Sequence, residues 1–283
     1  IAHVEPVENQ PLMAKKAVEW LDQRKAGEPF FLYYPLGIPH EPIVPSEEFT
    51  GKSGAQDVVR KDPKYGDWLY EGDAFLGKIL EALERNHLAE NTLLIATSDN
   101  GAEHRAYAPL RESKRSIYEG GHRVPFIARW PGKIKPGSVN KDLVMNLDFP
   151  ETFLEMAGLP IPSDMQGRSL VPVLKGETPS DWRKRFYYHY YEYPGPHSVR
   201  RHYGVRDQRY TLAYYYRIDE WELFDLEKDP GEQTDVHNQP HRADAAGVQE
   251  EVRGPPAEVV EHQQRQTEVD GRVDQPHQGQ PPK

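Results

Sequence analysis

The stretch Asn91-Thr-Leu-Leu-Ile-Ala-Thr-Ser-Asp-Asn-Gly101 decides the fold. Its first seven residues form a continuous apolar run of strand length. Such strands are buried on both faces, as in a parallel sheet covered by helices. The run breaks at once into Ser98-Asp99-Asn100-Gly101. In open α/β sheets, ligands bind just outside the carboxyl ends of the strands. A carboxylate beside an amide carbonyl there suits a hard cation such as calcium or magnesium, which takes oxygen ligands. Gly101 lets the chain turn sharply and approach a ligand closely. The same residues are also ordinary turn formers, so this stretch alone leaves a turn and a cation site both open.

Upstream, Leu69, Phe75, Leu76, Ile79, Leu80 and Leu83 share one face of a helix expected between Tyr65 and Arg85. Phe30 to Tyr34 reads as a short buried strand. It stops at Pro35, and Pro35-Leu-Gly-Ile-Pro-His-Glu-Pro42 must be a loop, because its prolines deny it a ladder. Leu12, Ala17, Val18 and Leu21 mark an earlier helix from Pro11 to about Arg24. Downstream, Val124 to Trp130 reads as another strand, ended by Pro131-Gly132. A helix starts at Asp148-Phe-Pro150, with Asp148 as its cap, and runs to Gly158.

This alternation predicts an α/β fold with a mostly parallel, doubly wound sheet over residues 1–178. Tyrosine-rich stretches follow at Phe186 to Tyr193 and Tyr203 to Tyr216. With Trp221 to Leu226 they suggest a small antiparallel C-terminal subdomain over residues 179–235. Residues 236–283 are expected to be a tail. From His241 onward it holds no Phe, Tyr, Trp, Leu, Ile or Met and cannot bury enough apolar surface to offset chain entropy. The abrupt break in composition suggests an out-of-frame or artificial continuation.

The balance of 35 basic against 45 acidic residues, a net charge of −10, argues against nucleic acid or an anionic membrane as the main partner. With no cysteine, disulfides, thiolate metal sites and a cysteine nucleophile are excluded within these residues. No apolar run approaches the roughly 18 residues of a membrane span. The chain opens at Ile1 and shows no signal peptide, so upstream sequence is expected. Four common templates are absent: the Gly-x-Ser-x-Gly elbow, the His-Glu-x-x-His zinc helix, the phosphate-cradling Gly-rich loop and the dinucleotide fingerprint.

Three further groups carry possible chemistry. His40, in the proline-rich loop, is a candidate general acid or anion contact, or else a surface histidine. Arg111 and Lys114 lie in the polar loop Leu110 to Pro125. They are candidate anion clamps, Arg as a planar fork and Lys as a point charge, or else a solvated basic turn. Arg200, Arg201 and His202 gather cations beside an aromatic strand, where they could bind a sulfated or carboxylated sugar or protect a sheet edge.

Taken in order, several segments resemble the formylglycine-dependent sulfatases of the alkaline phosphatase superfamily. They begin with Pro29-Phe-Phe-Leu-Tyr-Tyr, Pro39-His40-Glu-Pro42 and Asn91 to Gly101. They continue through Pro109-Leu-Arg-Glu-Ser-Lys114, Tyr118-Glu-Gly-Gly121, Arg123-Val-Pro125 and Arg129-Trp-Pro-Gly132. Gly167-Arg-Ser-Leu170 and Glu222-Leu-Phe-Asp-Leu-Glu-Lys-Asp-Pro230 match the closing signatures. The resemblance covers about residues 28–235. It implies an alkaline phosphatase-like fold and sulfate-ester hydrolysis by a formylglycine hydrate beside a divalent cation, calcium or else magnesium. It further implies Asp99 and Asn100 as metal ligands, Lys114 on the sulfate, and His40 on the sulfate or the leaving oxygen. His104 and Arg111 join Arg200, Arg201 and His202 as substrate-binding candidates.

The departures matter as much. No Cys/Ser-x-Pro-x-Arg motif occurs here, and the family's early Asp-Asp metal pair is also absent. The expectation is a sulfatase fragment, inactive alone and weak in calcium binding. The complete protein would act on a sulfated glycan or small molecule, in the periplasm or after secretion. The tyrosine-rich C-terminal stretches look like bacterial N-acetylglucosamine-6-sulfatases, whereas Asp99 to Gly121 looks arylsulfatase-like. Two alternatives stand beside this: a phosphonate or phosphodiester hydrolase, whose members show Asp-His where this chain has Asp99-Asn100, and a non-catalytic sugar- or anion-binding protein.

Overall fold

The structure, a computed structural model, describes residues 6–55, 64–103, 109–193, 195 and 198–238. His104 and the compositionally foreign tail beyond residue 238 lie outside the described residues. The chain forms two compact units, residues 1–183 and 184–283.

In the first unit, helix α1 (Pro6–Leu21) packs on helix α2 (Lys64–Arg85) through Ala17, Leu21, Ile79, Ala82 and Leu83. The buried face of α2 differs from the apolar stripe. Leu69 is 44% exposed, while Asp67, Trp68 and Glu71 are buried. The loop ahead of α2 explains the exchange. Asp67 accepts from the Gly51 amide at 2.7 Å, the Ser53 amide at 3.0 Å and the Ser53 hydroxyl at 2.6 Å. Glu71 accepts from the Ser46 amide at 2.9 Å. Buried polar groups are tolerated when bonded, and these carboxylates tie residues 46–53 to the helix.

Residues 30–34, expected as a buried strand, are extended but form no ladder among the described residues. Phe30, Leu32 and Tyr34 pack against the α1–α2 layer, while Phe31 and Tyr33 are 64% and 76% exposed. An unbroken apolar run therefore hides a one-sided segment with period two. Burial pushes the Tyr34 hydroxyl up to about 12.

A 3₁₀ turn (Ala89–Asn91) leads into β1 (Leu94–Thr97), which pairs with β2 (Phe126–Arg129) in the register Leu94↔Arg129 to Thr97↔Phe126. This pairing is antiparallel. β1 is only half-buried, with Thr97 exposed, so its apolar character establishes neither burial on both faces nor strand direction, and the parallel ladder expected for it is not formed among the described residues. The α/β class itself stands, with an antiparallel sheet in the C-terminal part.

Helix α3 (Glu119–His122) precedes β2, and α4 (Asp148–Met156) and α5 (Val171–Lys175) follow it. Asp148 was expected to cap α4. Instead Leu147 holds the cap position, and the fully buried Asp148 carboxylate accepts from the Met145 amide, the Arg168 amide and both terminal nitrogens of Arg183, at 2.6–2.9 Å. Trp182 donates to the Leu143 carbonyl at 3.0 Å and packs on Leu170 and Val173. Trp182 and Arg183 therefore belong to the first unit, which runs past the expected boundary at residue 178.

The second unit is a four-stranded antiparallel meander of β3 (Arg185–Tyr190), β4 (His202–Asp207), β5 (Tyr210–Tyr215) and β6 (Glu220–Asp225). Tyr203 to Tyr216, read as one stretch, is two strands. Asp207 folds the chain back by accepting from the Arg209 and Tyr210 amides at 2.8 and 2.6 Å, as Asp does in tight turns. Tyr203, Val205, Tyr210, Leu212 and Leu223 form its core. Val236, expected in the tail, donates to the Leu223 carbonyl at 2.8 Å and packs on that core.

Candidate active site

The carboxyl end of β1 carries the centre of the site. Ser98 donates to the Asn100 carbonyl at 3.0 Å, and the Asn100 amide donates to an Asp99 carboxylate oxygen at 2.9 Å. Two backbone bonds join this turn to the polar loop before β2. Gly101 donates to the Gly121 carbonyl at 2.8 Å, and Lys114 donates to the Ala102 carbonyl at 2.9 Å. Within that loop, Gly120 donates to the Arg111 carbonyl at 3.0 Å.

The glycines permit this close approach. A Cβ on Gly101 would lie 2.1 Å from the Gly120 carbonyl oxygen, and one on Gly120 would lie 2.3 Å from the Glu112 oxygen. Both distances are shorter than any side chain tolerates, so the requirement is space rather than an unusual dihedral. The backbone thus brings Asp99, Asn100, Arg111 and Lys114 to one region. Glu119, 2% exposed, anchors α3 through Arg123 at 3.1 Å and His122 at 3.4 Å. The Arg111 guanidinium lies 4.5 Å over the Tyr118 ring, a contact that orients a planar cation.

Asp99 is exposed and Asn100 half-buried. Their oxygens are hard donors of the type calcium and magnesium take, so the pair fits such a cation in kind. Calcium needs about six to eight oxygens, and this pair supplies only part of that shell. Among the described residues no group of three or more His, Asp or Glu forms a metal cluster.

His40 stands on a separate loop. Its amide donates to the Gly37 carbonyl at 2.8 Å, and its own carbonyl accepts from the Trp68 indole at 3.3 Å. The ring Nδ1 lies 2.7 Å from the Glu41 carbonyl. A carbonyl only accepts, so Nδ1 carries the proton and Nε2 is left for another partner.

The second unit holds the remaining candidates. Arg200 is exposed and Arg201 half-buried. His202, expected to touch substrate, is fully buried, with Nδ1 2.7 Å from the Arg200 carbonyl and its ring packed among Tyr188, Tyr190 and Tyr215. It is a core residue, and burial pulls its pKa below the usual histidine value.

Two features had no signal in the sequence. Asn146 donates from its side chain to the Asp99 carbonyl at 3.0 Å, across 47 residues. The Asp148–Arg183 pair fixes the turn that carries Asn146.

This arrangement belongs to a known family. Residues 9–159 match the family described as sulfatase, and residues 103–253 match the one described as N-sulphoglucosamine sulphohydrolase, C-terminal. The chain is a member of the sulfatase family. An N-acetylglucosamine-6-O-sulfatase of Bacteroides thetaiotaomicron is 44% identical over 200 residues, covering 69% of this chain and 34% of the relative. Human arylsulfatase A is 33% identical over 239 residues, covering 75% of this chain and 45% of the relative. The chain therefore spans between a third and a half of the length of these relatives. A solved structure in complex with its substrate D-glucosamine-2-N,6-O-disulfate superposes with a TM-score of 0.71 at 28% identity, covering 92% of this chain and 70% of that one. An Agrobacterium radiobacter phosphonate monoester hydrolase shares the fold, with a TM-score of 0.67 at 20% identity, covering 86% of this chain and 59% of that one.

Proposed function

We propose that the complete protein hydrolyses sulfate esters on an amino sugar, with a 6-O-sulfated glucosamine derivative as the substrate to test first. The observation that carries this is the double backbone tie between the Asp99–Gly101 turn and the Lys114–Gly121 loop. It holds two hard oxygen donors and a cation on one scaffold at a strand's carboxyl end. The relative named as an N-acetylglucosamine-6-O-sulfatase and the structure with bound disulfated glucosamine support the sugar. When present, a divalent cation draws charge from a sulfate oxygen and a formylglycine hydrate supplies the attacking oxygen; the motif that yields formylglycine does not occur in residues 1–283.

Within this chain, Asp99 and Asn100 hold the cation, and Lys114 sets its ammonium against the sulfate. His40, protonated, donates from Nε2 to the sulfate or the departing sugar oxygen. Arg111, oriented by the Tyr118 ring, is a second anion contact. His104, Arg200 and Arg201 are candidates for the sugar, and His202 is not. A periplasmic or secreted location accompanies this reading, and no helix among the described residues is long and apolar enough to cross a membrane.

The test is sulfate release from N-acetylglucosamine-6-sulfate by the complete protein. Lys114→Ala should lower kcat/KM by about 10²-fold or more, as for other preorganised electrostatic groups. Turnover near wild type would remove Lys114 from the site. Hydrolysis of phosphonate monoesters without sulfate release would favour the phosphonate hydrolases. Tight binding of the sugar sulfate without turnover would make this a binding protein.

A further inference from the structure

Asp99 and Asn100 are joined by a single peptide plane. The Asp99 carbonyl and the Asn100 amide lie in that plane, so a bond that pins the carbonyl also restrains where the two flanking α-carbons, and the side chains they carry, can sit. The Asn146 side chain donates to the Asp99 carbonyl at 3.0 Å and so pins that peptide.

Asn146 is itself held. The amide of its neighbour Met145 donates to Asp148 at 2.7 Å. The same carboxylate takes both Arg183 nitrogens, at 2.6 and 2.7 Å, and the Arg168 amide at 2.9 Å. Asp148 is fully buried and the Arg183 side chain only 11% exposed, so this is a rigid bidentate anchor. Asn146 is exposed and projects from it toward β1. An exposed amide adds little to global stability, because water replaces it readily. Its effect falls on the local geometry of the peptide it touches.

We propose that Asn146 is a positioning residue for the cation site, acting through the Asp99 carbonyl rather than by contact with the cation. The inference rests on the assignment of Asp99 and Asn100 as the cation's ligands. Groups that orient metal ligands from behind typically change metal affinity by about 10–100-fold when removed.

The test is calorimetric titration of calcium chloride into the complete, chelator-stripped protein, alongside the melting temperature of its metal-free form. Asn146→Leu keeps nearly the same shape but has no donor. It should weaken calcium binding about tenfold or more and move the metal-free melting temperature by less than about 2 °C. Asn146→Gln, which retains the donor on a longer stem, should recover part of the affinity. Calcium affinity within twofold of wild type in Asn146→Leu would overturn the inference. So would a loss of affinity that comes with a matching fall in the metal-free melting temperature. Asp99→Ala separates the two levels. If it abolishes binding while Asn146→Leu stays within twofold of wild type, only the positioning role fails. If Asp99→Ala leaves affinity unchanged, the ligand assignment fails and the positioning role with it.

Discussion

Replacing Gly101 with alanine tests the geometry on which the site depends. The new methyl would sit 2.1 Å from the Gly120 carbonyl oxygen and 2.7 Å from the Gly121 oxygen. To relieve the first contact the two loops must separate by about 1 Å, since interiors are packed without slack. The Gly101–Gly121 bond, now 2.8 Å, would then exceed hydrogen-bonding distance, and the neighbouring Lys114–Ala102 bond at 2.9 Å would be strained with it. Overpacking costs about 1–3 kcal/mol and each lost backbone bond about 0.5–1.5 kcal/mol, so the sum is about 2–5 kcal/mol. That is a large share of an ordinary domain's stability. Urea denaturation followed by tryptophan fluorescence reads it, because Trp20, Trp68, Trp130 and Trp182 lie in the first unit and only Trp221 in the second. The midpoint should fall by about 1 M or more at an unchanged slope. Gly77→Ala is the control. Gly77 lies in α2 with nothing within 4 Å of its Cβ position, so alanine there should stabilise by about 0.5–1 kcal/mol. A Gly101→Ala protein within about 0.5 kcal/mol of wild type would refute the close approach of the two loops.

Two pH effects follow from the buried carboxylate and the buried imidazole. The Ser53 hydroxyl, then the Gly51 and Ser53 amides, hold Asp67 below the usual carboxylate range. Its contribution is present above the unfolded value of about 3.9 and disappears as pH falls through the folded value. Asp67→Asn should therefore destabilise the first unit at neutral pH and flatten its acid unfolding curve; an unaltered acid limb would count against the Ser53 contact. For His202 the folded value is also lowered, so the unfolded chain takes the proton first. The second unit should lose stability as pH drops below about 6.5, and His202→Phe should remove that slope in amide exchange of β4. Retention of the slope in the variant would assign it to another group.

Much of the fold was legible because it rests on local chemistry. The apolar spacing of Phe75, Ile79 and Leu83 placed α2 within one residue of its observed span, while that of Ala17 and Leu21 found α1 but started it five residues late. The helix beginning at Asp148-Phe-Pro150 was legible from the proline in its first turn. What failed was partner identity. An apolar run such as Leu94–Thr97 says that a strand forms, but not how fully it is covered, which strand lies beside it or in which direction. Phe30 to Tyr34 has the composition of a strand buried on both faces, yet only Phe30, Leu32 and Tyr34 pack against α1 and α2. Leu69 lost its place to Asp67 and Glu71 because their partners lie 14 to 25 residues away in a loop that carries no periodicity. The two tyrosine-rich strands β4 and β5 read as one, since the turn at Asp207 is made by a side chain that also occurs within strands.

The candidate site divides along the same line. Asp99, Asn100, Lys114 and Arg111 announce themselves by side-chain chemistry and by their place in an ordered set of motifs. Their assembly does not, because it is made almost wholly by backbone groups, which every sequence carries alike. Only the glycines at 101, 120 and 121 leave a trace, and that trace reads as a turn until the facing carbonyls are known. Asn146 and Asp148 show how the same letters mislead. Asp148 has the position of a helix cap, yet its carboxylate clamps Arg183, 35 residues away. Asn146 makes only a backbone bond to Phe149 nearby, yet its side-chain amide reaches the carbonyl between the two candidate ligands. Residues that do chemistry are constrained in type and so can be found by eye. Residues that aim them are constrained only in reach, and reach is a property of the folded chain.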